Sequence, residues 1–271
     1  MPIISRDQHT DWRKYSPLQS LGRFIGWLGF VVLFVTAWQV MNAETYWDFV
    51  LDAPEQGAIL FNRMFPPDWA YANRLWGLLW DTVNIATLGT LLGMLIATPL
   101  AFLAAHNTTP SRLFIRPLAL SIIVASRSIN SLIWAMLFVA IFGPGVLAGI
   151  LAIAMRSIGF IGKLTYEAIE EISTEPVEAV EATGASGLQI LDYAIIPQVL
   201  PAYAGISVLR WDINIREATV LGLVGAGGIG IELSKSLDTI NWSGVSMILL
   251  MILGTVVVSE WVSARIRHAL I

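Results

Sequence analysis

Apolar runs of about 20 residues, the length that crosses a hydrocarbon core, alternate with shorter polar connections along most of this chain. Six runs qualify as membrane-crossing helices: 22–41, 78–105, 117–142, 146–168, 197–224 and 245–265. The second run carries Ala86, Gly89, Thr90, Gly93 and Ala97, small residues that let helices approach closely in lipid. Between the third and fourth, Gly143-Pro144-Gly145 predicts a tight turn. Residues 1–21 form a polar tail with Arg6, Arg13 and Lys14, and the run 22–41 is the first span. That run is too long, and begins too far into the chain, to suit the apolar region of a cleavable signal peptide. Residues 42–77 are expected to be an acidic loop, with Glu44, Asp48, Asp52, Glu55 and Asp68 against Arg63 and Arg74. Its Phe65-Pro66-Pro67-Asp68-Trp69 segment suits a membrane interface. Residues 78–271 make the core, with a polar loop at 169–196.

Composition agrees with this pattern. Of 271 residues, 56% are hydrophobic and 13% charged, and mean hydropathy is +0.68. A soluble domain carries about a quarter charged residues. The expected fold class is therefore all-α, a polytopic membrane protein of about six transmembrane helices, in contact with lipid and with no nucleic-acid partner. The net charge of −4 argues neither for nor against an anionic ligand. With no cysteine there is no disulfide, thiolate metal site or cysteine nucleophile. His9, His106 and His268 are scattered, so no metal site and no catalytic residue is expected, and an integral-membrane enzyme lacks the acid–base cluster it needs.

The polar stretch 175–201 stands out between two apolar runs. Pro176 suits the first position of a helix, and Glu175 and Glu178 lie in its first turn, facing the positive end of the macrodipole. Gly184 is placed to stop that helix after about two turns. Pro197 and Pro201 mark entry into the next run. Glu178-Ala179, Gly184 and Ile196-Pro197 resemble the coupling loop of permease subunits of type I ABC importers, the "EAA" loop. Val180 and Ala194 depart from that pattern, where alanine and isoleucine are usual. The resemblance implies that Glu178, Ala179, Glu181, Ala182, Thr183, Gly184 and Ala185 form the surface that couples to an ATPase.

Basic residues set the expected orientation. Arg6, Arg13, Lys14, Arg23, Arg112, Arg116, Lys163, Arg265 and Arg267 fall on one side, and only Arg63, Arg74 and Lys235 on the other. Both termini and the 169–196 loop are thereby expected in the cytoplasm, within reach of a cytoplasmic ATPase. The chain carries no Gly-x-x-x-x-Gly-Lys-Ser/Thr phosphate loop, so ATP and magnesium are expected on a partner and no cofactor on this chain. The run Gly225-Ala226-Gly227-Gly228-Ile229-Gly230 follows an apolar helix rather than a strand. Gly225, Gly227, Gly228 and Gly230 therefore predict a turn or gate at the outer end of the fifth span, buried in protein or lining a cavity.

Charges inside the runs are the remaining signal. Arg127, Arg156, Arg210, Asp212, Arg216 and Glu217 each cost on the order of 3 kcal/mol at mid-bilayer unless paired or hydrated. Asp212 and Arg216 are spaced to neutralise each other on a helix. Arg210 and Glu217, roughly 10 Å apart along the axis, are expected to be too distant for a direct pair. Two readings stay open: an aqueous path favourable to a phosphorus oxyanion, and structural ion pairs with arginines reaching an interface. Path candidates are Arg127, Asn130, Arg156, Arg210, Asn214, Arg216 and Glu217.

Several segments together look like the phosphonate-import permease family: 82–90, Arg127-Ser128-Ile129-Asn130, Gly143-Pro144-Gly145, Ala182-Thr183-Gly184-Ala185-Ser186 and 216–230. Segment 216–230 is also similar to methionine importers. The resemblance implies a bacterial inner-membrane permease for phosphonate, phosphite or a related oxyanion. It implies a homodimer, two cytoplasmic ABC ATPase subunits, and a periplasmic or lipid-anchored substrate-binding protein. Another small solute, such as a methionine-type amino acid, is the alternative. A standalone secondary transporter fits less well, since no inverted repeat with paired broken helices is evident.

Overall fold

Small residues decide where the central helices meet. The computed structural model describes residues 3–6, 9–12 and 15–270, and the chain divides into two units, Met1–Ile59 and Leu60–Ile271. In the second unit, α3 (Trp69–Ala104) packs along α6 (Val146–Glu170). Gly89 and Gly93 face α6 so closely that a Cβ on Gly89 would lie 2.7 Å from Ile153, and one on Gly93 2.6 Å from the Ser157 Cβ. Without a hydrophobic drive between helices in lipid, such close backbone approach supplies the packing.

The first unit begins with a pair of short strands and a long apolar helix. Strands β1 (Ile3–Arg6) and β2 (His9–Trp12) pair antiparallel in a region read from sequence only as a polar tail. Helix α1 (Pro17–Glu44) is capped by Ser16, whose hydroxyl accepts from the Gln19 N–H while the Gln19 side chain accepts from the Ser16 N–H. It is apolar and exposed all round, as a span in lipid is. The expected loop at 42–77 instead holds helix α2 (Trp47–Met64) and the start of α3. Asp48, Asp52 and Glu55 recur at spacings of four and three residues, so the polar positions that suggested a loop lie on one face of a helix. Asp68 caps α3, accepting from the Ala70 and Tyr71 N–H groups.

Among the described residues four helices are long and apolar enough to cross a membrane, and two bent pairs bring the number to six if each counts as one span. The run 117–142 is one of these pairs rather than a continuous helix. Helices α4 (Ile115–Ser128) and α5 (Ser131–Phe142) meet at 90°. Hydropathy averages across this corner, but the Asn130 side chain accepts from the Leu132 N–H and so starts a new helix inside an apolar run. The second pair bends by 44° at the glycine-rich segment before α10 (Ile229–Asp238). Helix α9 (Ile196–Leu221) supplies its long arm, and α11 (Trp242–Leu270) closes the unit against α9 and α10.

Candidate functional site

The polar loop after α6 is built as a two-step knob. Helix α7 (Thr174–Glu181) is two turns long, and α8 (Gly187–Ile190) runs through a π-helical turn at Leu191–Ile195 into α9. Pro176 is the third rather than the first residue of α7, because Thr174 already has helical geometry; its missing N–H is still one of those a first turn leaves unpaired. Val177 is anchored in a cluster with Ala101, Ala105, Ile169, Ile195 and Val199. Val180 is half-buried beside it, so its departure from alanine leaves the outward face unchanged. Glu178, Ala179, Glu181, Ala182, Thr183 and Gly184 are exposed and Ala185 is half-buried. Gly184 adopts φ +79°, and a Cβ there would meet nothing within 4 Å, so the backbone angle rather than crowding calls for glycine. Gln198 fastens the knob to α9: it donates to the Ala194 carbonyl at 2.7 Å and accepts from the Ser173 N–H at 3.1 Å.

At the other end of α9 the glycine run is a packed turn. Gly225, Gly227 and Gly228 all have positive φ, and Ala226 to Gly230 are buried. The Gly145 N–H donates to the Gly225 carbonyl at 2.9 Å, and the Ile229 N–H to the Thr82 hydroxyl at 2.8 Å. A Cβ on Gly230 would stand 2.1 Å from the Thr219 carbonyl oxygen.

Between these ends five of the charges predicted within the apolar runs fall into two groups, Arg156–Glu217–Arg210 and Asp212–Arg216. Arg210 is 2% exposed and donates from Nη1 and Nη2 to the two carboxylate oxygens of Glu217 at 3.3 and 3.4 Å. The expectation that these two are too far apart is wrong. The lengths of the two side chains close the gap that the axial rise alone would leave. Arg210 Nε donates to Ser157 Oγ at 3.1 Å, and Ser157 also accepts from Asn214 at 3.0 Å. Arg156 Nε, from α6, approaches the same Glu217 at 3.3 Å. Arg216 pairs with Asp212 as expected, and the Ser259 hydroxyl of α11 donates to Asp212 Oδ1 at 2.8 Å.

A cavity of about 320 Å³ opens on both groups, lined by Asn130, Ser131, Arg156, Arg216 and Glu217 together with the apolar Leu132, Val220 and Leu221. Two arginines and the amino end of α5 therefore border one largely apolar cavity together with the Glu217 carboxylate, and the guanidinium groups are the lining elements suited to an oxyanion. Arg210 and Asn214 lie behind it, buried. Among the described residues the Asn214 Oδ1 has no hydrogen-bond partner, while its amide donates to Thr90 at 2.7 Å. Arg127 is exposed at the end of α4 and does not line the cavity. Ser157, Ser259 and Ser131 escaped sequence reasoning, since a serine in an apolar run signals only tolerance for a small side chain. No group of residues able to hold a metal occurs among the described residues.

Residues 89–270 match the family model described as binding-protein-dependent transport system inner membrane component. The chain is 38% identical over 240 residues to a phosphite transport system permease protein of Stutzerimonas stutzeri, covering 88% of this chain and 86% of that one. It is 38% identical over 237 residues to a phosphate-import permease protein of Mycolicibacterium smegmatis, covering 88% of this chain but only 44% of that one. A putative phosphite permease of Stutzerimonas stutzeri matches at 34%, with 88% and 84% covered. Among solved structures, an inward-facing methionine ABC transporter superposes with a TM-score of 0.62 at 22% identity, over 71% of this chain and 94% of that one. An alginate-importing bacterial ABC transporter does so with a TM-score of 0.59 at 16% identity, over 93% and 97%.

Proposed function

Because the chain belongs to the binding-protein-dependent transport system inner membrane component family, we propose that it lines the route by which an ABC importer moves phosphite, phosphonate or a closely related phosphorus oxyanion. The observation that carries the oxyanion reading is the cavity where Arg156 and Arg216 converge beside Asn130 and Ser131. The names of the phosphite, phosphate and phosphonate relatives support the same class of cargo. Within this reading Arg210 and Asn214 brace the route from behind, Glu217 tunes it, and Arg127 lies near one mouth. Gly225, Gly227, Gly228 and Gly230 shape its outer closure.

The working unit is a homodimer in the bacterial inner membrane, with both termini and the 175–201 loop in the cytoplasm. Two ATPase subunits grip the exposed face of α7, where Glu178, Ala179, Glu181 and Ala182 are free to make contact and Gly184 sets the exit. A periplasmic or lipid-anchored binding protein delivers the anion on the opposite side. ATP and magnesium belong to the ATPases. A rigid lever docked on a packed interface converts their closure into a switch between two packings of the bundle.

The test is uptake of phosphite and of methylphosphonate by cells lacking other phosphorus importers, given this chain with its genomically neighbouring ATPase and binding protein. ATP-dependent uptake of either is expected. Import of a different solute, with neither phosphorus compound bound by the binding protein, would overturn the cargo.

A further inference from the structure

We infer that Glu217 is a built-in stand-in for the travelling anion: it occupies Arg156 while the cavity is empty and yields that arginine when an oxyanion enters. The inference rests on the cargo class proposed above and concerns how the same site avoids trapping what it carries.

The two carboxylates of the cluster are held differently. Asp212 is 4% exposed and fixed from two elements, by Arg216 and by the Ser259 hydroxyl. Glu217 is 20% exposed, and its three contacts, at 3.3, 3.3 and 3.4 Å, all exceed the roughly 2.7–2.9 Å of a strong charge-assisted hydrogen bond. Its two arginines also differ. Arg210 is deeply buried, engages both carboxylate oxygens, and is locked by Ser157 on its remaining face. Among the described residues Arg156 offers Glu217 a single contact from Nε, lines the cavity, and otherwise reaches only the Ile129 carbonyl at 3.5 Å. Arg210 is thus the permanent partner of Glu217, and Arg156 the exchangeable one.

This arrangement meets two opposing needs. A cavity with an unneutralised Arg156 beside Arg216 would hold a phosphorus oxyanion tightly, yet passage demands binding weak enough to reverse. With Glu217 clamped on Arg210 within contact distance of Arg156, each arriving anion must displace a carboxylate, and the same carboxylate competes for Arg156 to expel it. Clamping by Arg210 keeps Glu217 close enough to compete in every cycle.

The experiment measures inorganic phosphite binding by phosphorus NMR line broadening on the purified permease–ATPase complex in lipid nanodiscs. Glu217→Gln removes the competing charge but keeps the shape, and should tighten phosphite by on the order of tenfold. In proteoliposomes supplied with the binding protein the same variant should lower the maximal uptake rate, because release slows. Arg156→Gln should weaken phosphite by at least the same factor. Unchanged or weaker phosphite binding by an intact Glu217→Gln complex overturns the inference. If that variant fails to assemble, Arg156→Lys carries the test: it leaves the Glu217–Arg210 pair in place but removes the fork, and wild-type phosphite affinity there overturns the inference equally. A wild-type complex that imports phosphite but ignores these substitutions defeats only the exchange. One that imports neither phosphite nor phosphonate defeats the cargo reading as well.

Discussion

Arg210 and Glu217 lie seven residues apart on α9, yet the guanidinium of one donates to both carboxylate oxygens of the other, at 3.3 and 3.4 Å. The contact runs along the helix across two turns and places a compensated charge where an isolated arginine would be costly. It also fixes the carboxylate that Arg156 approaches from α6. One intrahelical pair therefore links the packing of the bundle to the chemistry of its cavity.

Breaking this pair should cost stability before it costs transport. Arg210→Met leaves Glu217 with Arg156 alone and takes from Ser157 one of its two donors, the other being Asn214, and loss of one partner of a buried pair is worth on the order of 3 kcal/mol. A lower unfolding temperature of the purified permease, read by fluorescence-detected gel filtration, is expected. Wild-type thermal behaviour would remove Arg210 from the structural core.

The exposed face of α7 predicts the opposite separation. Glu178→Lys touches no packed residue, so membrane insertion and thermal stability should remain as in the wild type. ATPase co-purification and uptake should both fall at least tenfold, since a reversed charge sits on the proposed docking face. Val177→Asp, in the buried cluster beneath, should instead destabilise the chain. Normal ATPase recovery with Glu178→Lys would exclude the docking role.

Gly184 isolates backbone geometry from crowding. At φ +79° an alanine pays about 1–2 kcal/mol of strain although open space surrounds it. Gly184→Ala should weaken ATPase recovery modestly, and Gly184→Asn less, because asparagine tolerates the left-handed region. Equal recovery for glycine, alanine and asparagine chains would show that the turn carries no constraint.

At Gly230 crowding decides. An added Cβ would sit 2.1 Å from the Thr219 carbonyl, within backbone that cannot give way, whereas at Gly205 it would meet nothing within 4 Å. Gly230→Ala should therefore reduce the folded yield severely and Gly205→Ala leave it unchanged. Comparable yields from the two would refute the packed-turn account of the glycine run.

The sequence by itself determined the class, the long apolar segments and the polar knob between α6 and α9. Each depends on the local order of apolar, small and helix-breaking residues, from the run 78–105 to Gly184. Even the Asp212–Arg216 pair was legible, because a spacing of four residues fixes two side chains on one helix face. Only the tertiary structure decided that Asn130 turns α5 through 90°, that Arg210 reaches Glu217, and that Ser157 and Ser259 hold the charges in place. Those outcomes turn on side-chain reach and on contacts between residues as far apart as Asp212 and Ser259, or Arg156 and Glu217. Hydropathy averages over neighbours in the chain. The cavity is made by residues that become neighbours only when the helices pack.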